Sequence, residues 1–318
     1  MDDSHSDLPL FSRMAISTSI ETELPSSLHP TTSLSAAINA WGEALEDQGK
    51  SIHTVKAFSS DLRLLAKFVG SGRAINDIST IDIKNFLEWM LNGRGVPCSP
   101  KTYARRITSI KSFFRWLNEI AVLTEDPAAA VPQQSVLSPL PTVLNDDEVK
   151  TVLEAAASSR KHEKADARPY TLLSLLLETA IKKGECLAIH INHIDPNSVD
   201  GSILFVRYGD VNKRYKERKL SLSQDWIGAY EEYIQQYQPT DRLFPWSPRR
   251  LEYILEDIGK LAELEKHISF DMCRWTSALA DYRAGMDPDK IRQKLGVSKI
   301  QWREISSKLQ RLSELSEE

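Results

Sequence analysis

Apolar residues recur at helical spacing through the first third of the chain. Over residues 55–69 they step by three and four, which places them on one face of a helix. The runs that follow Ser79 and Pro100 keep the same period, and Ser51 and Ser79 stand where helix N-caps are expected. We therefore expect residues 33–131 to form an all-helical domain of four or five helices.

Beyond residue 145 the pattern changes from helices alone to helices with short strands. Residues 170–181 are almost continuously apolar, which indicates a buried helix. Residues 202–208 and 218–222 predict two strands, with a basic segment between them. Further helices are expected near 224–237, 248–264, 272–284, 288–295 and 300–312. The predicted fold class is mostly α, with a small antiparallel sheet in the second part.

Two segments without a sustained period divide the chain. Residues 1–32 are rich in Ser, Thr and Pro and carry five acidic residues against Arg13 alone, so we expect a disordered acidic tail. Residues 132–144 contain three prolines and fit an interdomain linker. The second domain then spans residues 145–318.

Composition is that of a globular protein, with 41% hydrophobic and 26% charged residues. No apolar run approaches the ~20 residues that cross a bilayer, so we expect no membrane partner. Cys98, Cys186 and Cys273 are odd in number and far apart. We therefore expect neither disulfides nor a zinc site, and no metal or other cofactor. A reducing, cytoplasmic compartment fits this cysteine usage.

The helix after Pro100 carries the clearest sign of a binding surface. Its basic residues have no acidic residue among them from Ser99 to Trp116, and hydroxyl side chains are interleaved with them. Such a face suits a phosphate backbone, and a solvated basic face explains the same composition equally well. The basic residues are Lys101, Arg105, Arg106, Lys111 and Arg115. The net charge of −4 does not exclude this site, because a local patch matters more than the total.

An ordered set of motifs occupies residues 268–312. A box at 271–274 ends in Arg274, a turn follows at Gly285, and the pair Leu295-Gly296 precedes Val297. Ser306 stands nine residues after Val297. This order resembles the active-site end of the tyrosine recombinases, the phage-integrase and Xer-type family. That family has His at the positions of Asp271 and Val297 and its nucleophilic Tyr at the position of Ser306.

The resemblance extends to the rest of the second domain. Residues 179–185 match the segment of the family's first catalytic arginine and place Lys182 there. Lys213, in the basic segment 212–217, takes the position of the catalytic lysine. The resemblance thus leaves Lys213 and Arg274 as catalytic remnants, with degenerate positions at Lys182, Asp271, Val297 and Ser306. Because a carboxylate repels phosphate, we expect Asp271 to pair with Arg274 or Lys182.

The resemblance also implies a domain plan. Residues 33–131 are expected to be a helical, SAM-like core-binding domain, and residues 145–318 an α+β domain of the catalytic type. In the family the two domains close around duplex DNA. The expected DNA-binding residues are Lys101, Arg105, Arg106, Lys111, Lys182, Lys213 and Arg274.

The sequence therefore predicts a DNA-binding, nucleoid-associated protein that does not cut DNA. It would act beside an active recombinase, or as a homo-oligomer, in recombination, transposition or transcription. Two alternatives stay open: an active recombinase that uses Ser306 or Tyr282, and a protein-interaction module that has lost DNA binding. A packed aromatic is the favoured interpretation of Tyr282. The apolar stripe Ile305, Leu309, Leu312 and Leu315 fits docking on a neighbouring protomer and packing on its own domain equally well.

Overall fold

The computed structural model describes residues 28–96, 98–133, 139–161, 165–199 and 201–315. The chain divides into two compact units, Met1–Ser138 and Pro139–Glu318. Most of the predicted tail, residues 1–27, and residues 134–138 of the predicted linker lie outside the described residues. The described end of the tail is tied to unit 1, where the Pro30 and Thr32 carbonyls accept hydrogen bonds from the backbone of residues 76 and 75.

The described part of unit 1 contains four α-helices: α1 Leu34–Asp47, α2 Ile52–Val69, α3 Thr80–Glu88 and α4 Pro100–Glu119. Each begins after a serine whose hydroxyl accepts a backbone N–H of the first turn, which stabilises the helix start: Ser33, Ser51, Ser79 and Ser99. A π-helical turn, Trp89–Gly93, extends α3. The predicted helical domain and its caps at Ser51 and Ser79 are confirmed.

The core of unit 1 is built around α4. Trp41 of α1 meets Phe113 of α4 edge to face, with ring centroids 5.4 Å apart. Phe113, Phe114 and Phe86 are fully buried, and each such side chain contributes roughly 1.5–3 kcal/mol of hydrophobic stabilisation. The apolar period predicted for the run after Pro100 is confirmed, since it forms a buried stripe on α4: Tyr103, Ile107, Ile110, Phe114 and Leu117. The opposite side of α4 faces solvent.

Unit 2 holds eight α-helices and a sheet in its described residues. The helices are α5 Asp146–Ser158, α6 Arg168–Thr179, α7 Lys183–Leu187, α8 Gln224–Tyr237, α9 Pro248–Leu261, α10 Phe270–Arg283, α11 Pro288–Leu295 and α12 Lys299–Glu314. The strands are β1 Ile194–Asp195, β2 Ile203–Val206 and β3 Arg218–Ser221. No described helix is both long and apolar enough to cross a membrane.

The sheet is antiparallel in the order β1-β2-β3. Its inner face pairs Leu204 with Leu220, and Val206 with Arg218. The strands β2 and β3 were predicted, whereas β1 was not, because two residues carry no readable alternation. The basic segment between β2 and β3 forms a 3₁₀ turn, Val211–Lys216.

The buried helix predicted near residues 170–181 is α6, whose residues 172–176 lie in the core of unit 2. A smaller apolar cluster joins α10, α11 and α12. Leu309 and Leu312 of α12 are buried in it against Leu279 and Leu295, whereas Leu315 is exposed. Of the two arrangements open from the sequence, α12 therefore packs on its own unit.

Candidate functional site

Three cationic side chains hydrogen-bond to the C-terminal end of α11. The carbonyl oxygens of residues 294, 295 and 296 accept hydrogen bonds, in that order, from Arg218, Arg274 and Lys182, at 2.7, 2.5 and 2.9 Å. The last carbonyls of a helix lack helical partners and carry partial negative charge, so cations stabilise them. We call Lys182, Arg218 and Arg274 the cation cluster.

Arg218 is fixed in the cluster by a buried ion pair with Glu185. The guanidinium donates to both carboxylate oxygens, at 3.1 and 2.8 Å, and the two side chains are 8% and 3% exposed. The Tyr208 hydroxyl donates to the same carboxylate, and the backbone N–H of Lys182 donates to it at 2.8 Å. Burial alone raises the pKa of Glu185, but the hydrogen bonds and charge of Arg218 outweigh it and lower the pKa to about 2.

Arg274 also donates hydrogen bonds to the backbone. One nitrogen donates to the Leu295 carbonyl and the other to the carbonyl of Ala180, the C-cap of α6 with a left-handed φ of 52°. Burial lowers the pKa of Arg274 to about 10, and nearby Glu185 opposes the effect. Arg274 therefore remains charged at neutral pH and joins the ends of α6 and α11.

Lys182 is the most accessible member of the cluster, with its side chain 37% exposed. Its amine donates to the Gly296 carbonyl and lies 3.8 Å from Glu185. Burial lowers the pKa of Lys182 to about 8; Glu185 raises it, and Arg274 and Arg218 lower it further. An amine replaces the expected guanidinium here, so the planar two-donor fork that matches a phosphate is absent at this position.

An open cleft of about 1040 Å³ lies beside the cluster, lined by Lys182, Arg274, Asp271, Arg249 and Tyr253 among others. The prediction that Asp271 pairs with Arg274 or Lys182 is wrong, because no ion pair joins them in the described residues. Both cations have taken carbonyl partners instead. Asp271 is exposed and adds negative charge to the cleft.

The other predicted catalytic positions do not join the cluster through any hydrogen bond or ion pair of the described residues. Lys213 pairs with Asp210 at 2.8 Å on the turn between β2 and β3. The Ser306 hydroxyl donates to the Arg303 carbonyl of its own helix at 3.2 Å. Val297 and Tyr282 pack against the apolar cluster of α10, α11 and α12, which agrees with the favoured interpretation of Tyr282.

A different basic surface lies on the solvent side of α4. Lys101, Arg105, Thr108, Ser112 and Arg115 follow one another at helical spacing there. Lys101, Thr108 and Arg115 are exposed, and neither Lys101 nor Arg115 has an ion-pair partner in the described part of unit 1. We call these five residues the α4 face.

Arg106, expected among the exposed cations, is instead an internal residue. Its side chain is 12% exposed and donates to the buried Asp61 at 3.3 Å and to the Cys98 sulfur at 3.1 Å. The sequence alone did not reveal this pair, because Asp61 lies 45 positions from Arg106. Arg106 was therefore expected on the basic surface. Arg105 contacts the same carboxylate and stays 39% exposed, so it serves both the core and the α4 face.

Two further features went unpredicted. Lys111 is anchored by its amine to the carbonyls of Val131 and Ala129, at 2.6 and 3.1 Å, which ties the segment after α4 back to that helix. On α2, Lys56, Arg63 and Lys67 line up with Ser60 as an exposed row. The spacing of four, three and four residues was the available signal.

Two family models match this chain. The model described as the phage integrase family covers residues 142–305, and the phage integrase N-terminal SAM-like domain covers residues 38–119. Tyrosine recombinase XerD of Listeria innocua serovar 6a is 24% identical over 280 residues, which cover 84% of this chain and 91% of that protein. Tyrosine recombinase XerC of Mycobacterium leprae is 29% identical over 149 residues, which cover 46% and 49% of the two chains.

Solved structures show the same fold. A XerH site-specific recombinase bound to palindromic difH substrate, in a post-cleavage complex, superposes with a TM-score of 0.69 at 18% identity. The match covers 89% of this chain and 84% of that one. A lambda integrase dimer bound to a COC' core site gives a TM-score of 0.66 at 15% identity, covering 86% and 77%. The predicted mostly helical fold with a SAM-like first domain is confirmed.

Proposed function

Because the chain belongs to the phage integrase family of tyrosine recombinases, we propose that it binds duplex DNA and does not cut it. Cleavage by a tyrosine recombinase requires a nucleophilic phenol, preorganised cations around the phosphate, and groups that move protons.

The observation that carries the proposal is the occupation of the cation cluster by backbone carbonyls. Two donors of Arg274 and the amine of Lys182 are engaged by the ends of α6 and α11. A phosphate would have to compete with these bonds, in a cleft to which Asp271 adds negative charge. Each lost transition-state donor typically costs ~10²–10³ in rate.

The nucleophile position supports the same conclusion. The Ser306 hydroxyl donates to a carbonyl of its own helix, and no His, Asp or Glu of the described residues hydrogen-bonds it as a general base. A serine without a paired base is a weak nucleophile. Val297 offers no side-chain proton donor or acceptor where the family has its second His.

DNA binding is supported chiefly by the α4 face, where three cations and two hydroxyl side chains, residue types that contact phosphates, lie on one side of the helix. Structurally similar recombinases were solved on DNA, among them the XerH and lambda integrase complexes. In this chain we assign the principal phosphate contacts to Lys101, Arg105 and Arg115. Lys213, Lys182 and Arg274 add positive charge from unit 2.

We further propose that the protein acts as an accessory, regulatory or architectural factor in recombination, transposition or transcription, associated with the nucleoid. Its partner would be an active recombinase or a second copy of itself. The lambda integrase structures include a dimer and a tetramer, which supports an assembling partner.

Fluorescence anisotropy of the full chain on a labelled duplex, measured from about 50 to 200 mM salt, tests DNA binding. The proposal predicts an affinity that falls steeply as salt rises, because each phosphate contact releases counterions. Salt-independent or absent binding would favour the alternative of a protein-interaction module.

A further inference from the structure

A second concave site, of about 500 Å³, lies beside the sheet of unit 2. Its walls come from the segment before β1, the end of β2 and the 3₁₀ turn that follows. The side chains that line it include His190, His193, Arg207, Arg214 and Glu217. We call it the His–Arg pocket. None of its residues belongs to the cation cluster, and the proposed function uses none of them.

The pocket holds more positive charge than its own carboxylate neutralises. Neither Arg207 nor Arg214 has an ion pair or hydrogen bond to a carboxylate in the described residues. Arg207 lies over the Phe205 ring, 5.5 Å from its centroid, which orients the guanidinium without neutralising it. Glu217 is the carboxylate of the lining, and one of its oxygens accepts the Tyr208 backbone N–H at 2.9 Å.

The two imidazoles are held in defined orientations. His190 Nδ1 lies 2.7 Å from the Asp241 carboxylate, and the His193 ring meets the His190 ring edge to face at 5.1 Å. His193 Nδ1 accepts the His190 backbone N–H at 3.4 Å, which leaves Nε2 as the nitrogen that can donate. Burial lowers the pKa of His193, and His190 and Arg207 lower it further, against Glu217. Both rings are therefore fixed at the wall of the pocket.

We propose that the His–Arg pocket binds a phosphate group between Arg207, Arg214 and His193. Two guanidiniums supply forked donors that fit phosphate oxygens, and His193 Nε2 supplies a further donor. An anion placed there relieves the repulsion among the cations. The carboxylate of Glu217 opposes the binding of an anion, and the two guanidiniums outweigh its single negative charge.

The phosphate has two possible sources. It is either a free phosphate monoester or a phosphodiester of DNA, and the second source rests on the proposed function. Both ligands present phosphate oxygens to the pocket. Separate arms of one experiment therefore have to distinguish the monoester from the DNA backbone.

The test is long-range ¹H–¹⁵N NMR of the histidine rings in the full chain, titrated with inorganic phosphate at constant ionic strength against a chloride control. We expect a saturable change in the His193 ring signals and a raised pKa of His193, assigned with His193→Asn. Arg207→Gln combined with Arg214→Gln removes the response. Lys219→Gln keeps it, because Lys219 lies over the same Phe205 ring at 5.5 Å but does not line the pocket.

A duplex of about 20 base pairs forms the second arm. If the duplex reproduces the phosphate response, the source is the DNA backbone; if inorganic phosphate alone does so, the source is a free phosphate. The proposal is overturned if neither ligand changes the His193 signals beyond chloride, or if Lys219→Gln abolishes the response as fully as the arginine variants. The inorganic phosphate arm needs no DNA binding, so its failure is distinct from failure of the proposed function.

Discussion

The α4 face and the cation cluster contain the same kinds of side chain in opposite situations. On the α4 face, Lys101 and Arg115 point to solvent without an acidic partner in the described part of unit 1. In the cation cluster, Arg218, Arg274 and Lys182 hydrogen-bond the last carbonyls of α11. The first arrangement leaves charge available to a ligand, and the second commits it to the fold.

The contrast shows that the number of basic residues is a poor guide to where an anion binds. A cation that already satisfies helix-end carbonyls stabilises the protein and must give up those bonds to hold phosphate. Arg106 of α4 is a further example of a cation committed to the fold. It lies beside Arg105 in sequence yet pairs with the buried Asp61.

The largest expected effect is on stability, at Arg218. Arg218→Met removes both guanidinium hydrogen bonds of the buried Glu185 and leaves it, among the described residues, only the amine of Lys182, 3.8 Å away, as an ion-pair partner. We expect this to cost roughly 3–5 kcal/mol in the free energy of unfolding of unit 2. Lys213→Met, which breaks an exposed ion pair, should cost far less. Urea unfolding followed by tryptophan fluorescence measures both. Equal losses would mean that Arg218 is not committed to the fold.

The pH dependence of stability tests the buried pair of Arg218 and Glu185 from the side of the carboxylate. The pKa of Glu185 lies at about 2 in the folded protein against an ordinary value of 4.5, so its contribution is complete above 4.5 and is lost as pH falls towards 2. Asp82 of unit 1 titrates similarly, because the hydrogen bond from Arg73 lowers its pKa to about 2. The quantity to follow is therefore the difference in the free energy of unfolding between the wild type and Glu185→Gln. That difference should shrink as the pH is lowered from 4.5, and a constant difference would contradict the assignment.

A smaller loss is expected at Gly296, which ends α11 with a φ of 57°. A Cβ there would lie 2.6 Å from a guanidinium nitrogen of Arg218, which Glu185 holds in place. Gly285 has a similar φ of 73° and open space around it. Gly285→Ala should cost roughly 1–2 kcal/mol from the left-handed backbone alone, and Gly296→Ala clearly more. Thermal unfolding of the two variants gives the comparison, and equal Tm values would count against a tightly packed cluster.

On the α4 face the expected change is in DNA binding and not in stability. Lys101→Ala with Arg115→Ala should reduce the slope of log affinity against log salt by about two, one for each lost phosphate contact. Lys50 and Lys84 are exposed lysines of unit 1 outside this face. Lys50→Ala combined with Lys84→Ala should leave the slope unchanged. Anisotropy titrations at several salt concentrations measure both slopes. An equal effect of the two double variants would remove the special role of the α4 face.

Local features of this fold could be predicted from the sequence, and long-range pairings could not. The helices of unit 1 follow from apolar spacing and serine caps, as Ser51 and Ser79 show. The partners of the cations depend on contacts far apart in sequence: Lys182 reaches Gly296 across 114 positions. A resemblance in motif order identified the positions of Lys182 and Arg274 but gave no information on which carbonyls they bind.

We propose that this chain holds DNA without forming a covalent bond to it. The most direct measurement incubates the protein with a nicked suicide duplex, scores binding on a native gel, and separates covalent adducts by denaturing electrophoresis. We predict a bound complex and no adduct, both for the wild type and for Ser306→Tyr, because the cation cluster stays committed to α11. A denaturation-resistant adduct from the wild type, abolished by Ser306→Ala or Tyr282→Phe, would contradict the claim and identify the nucleophile.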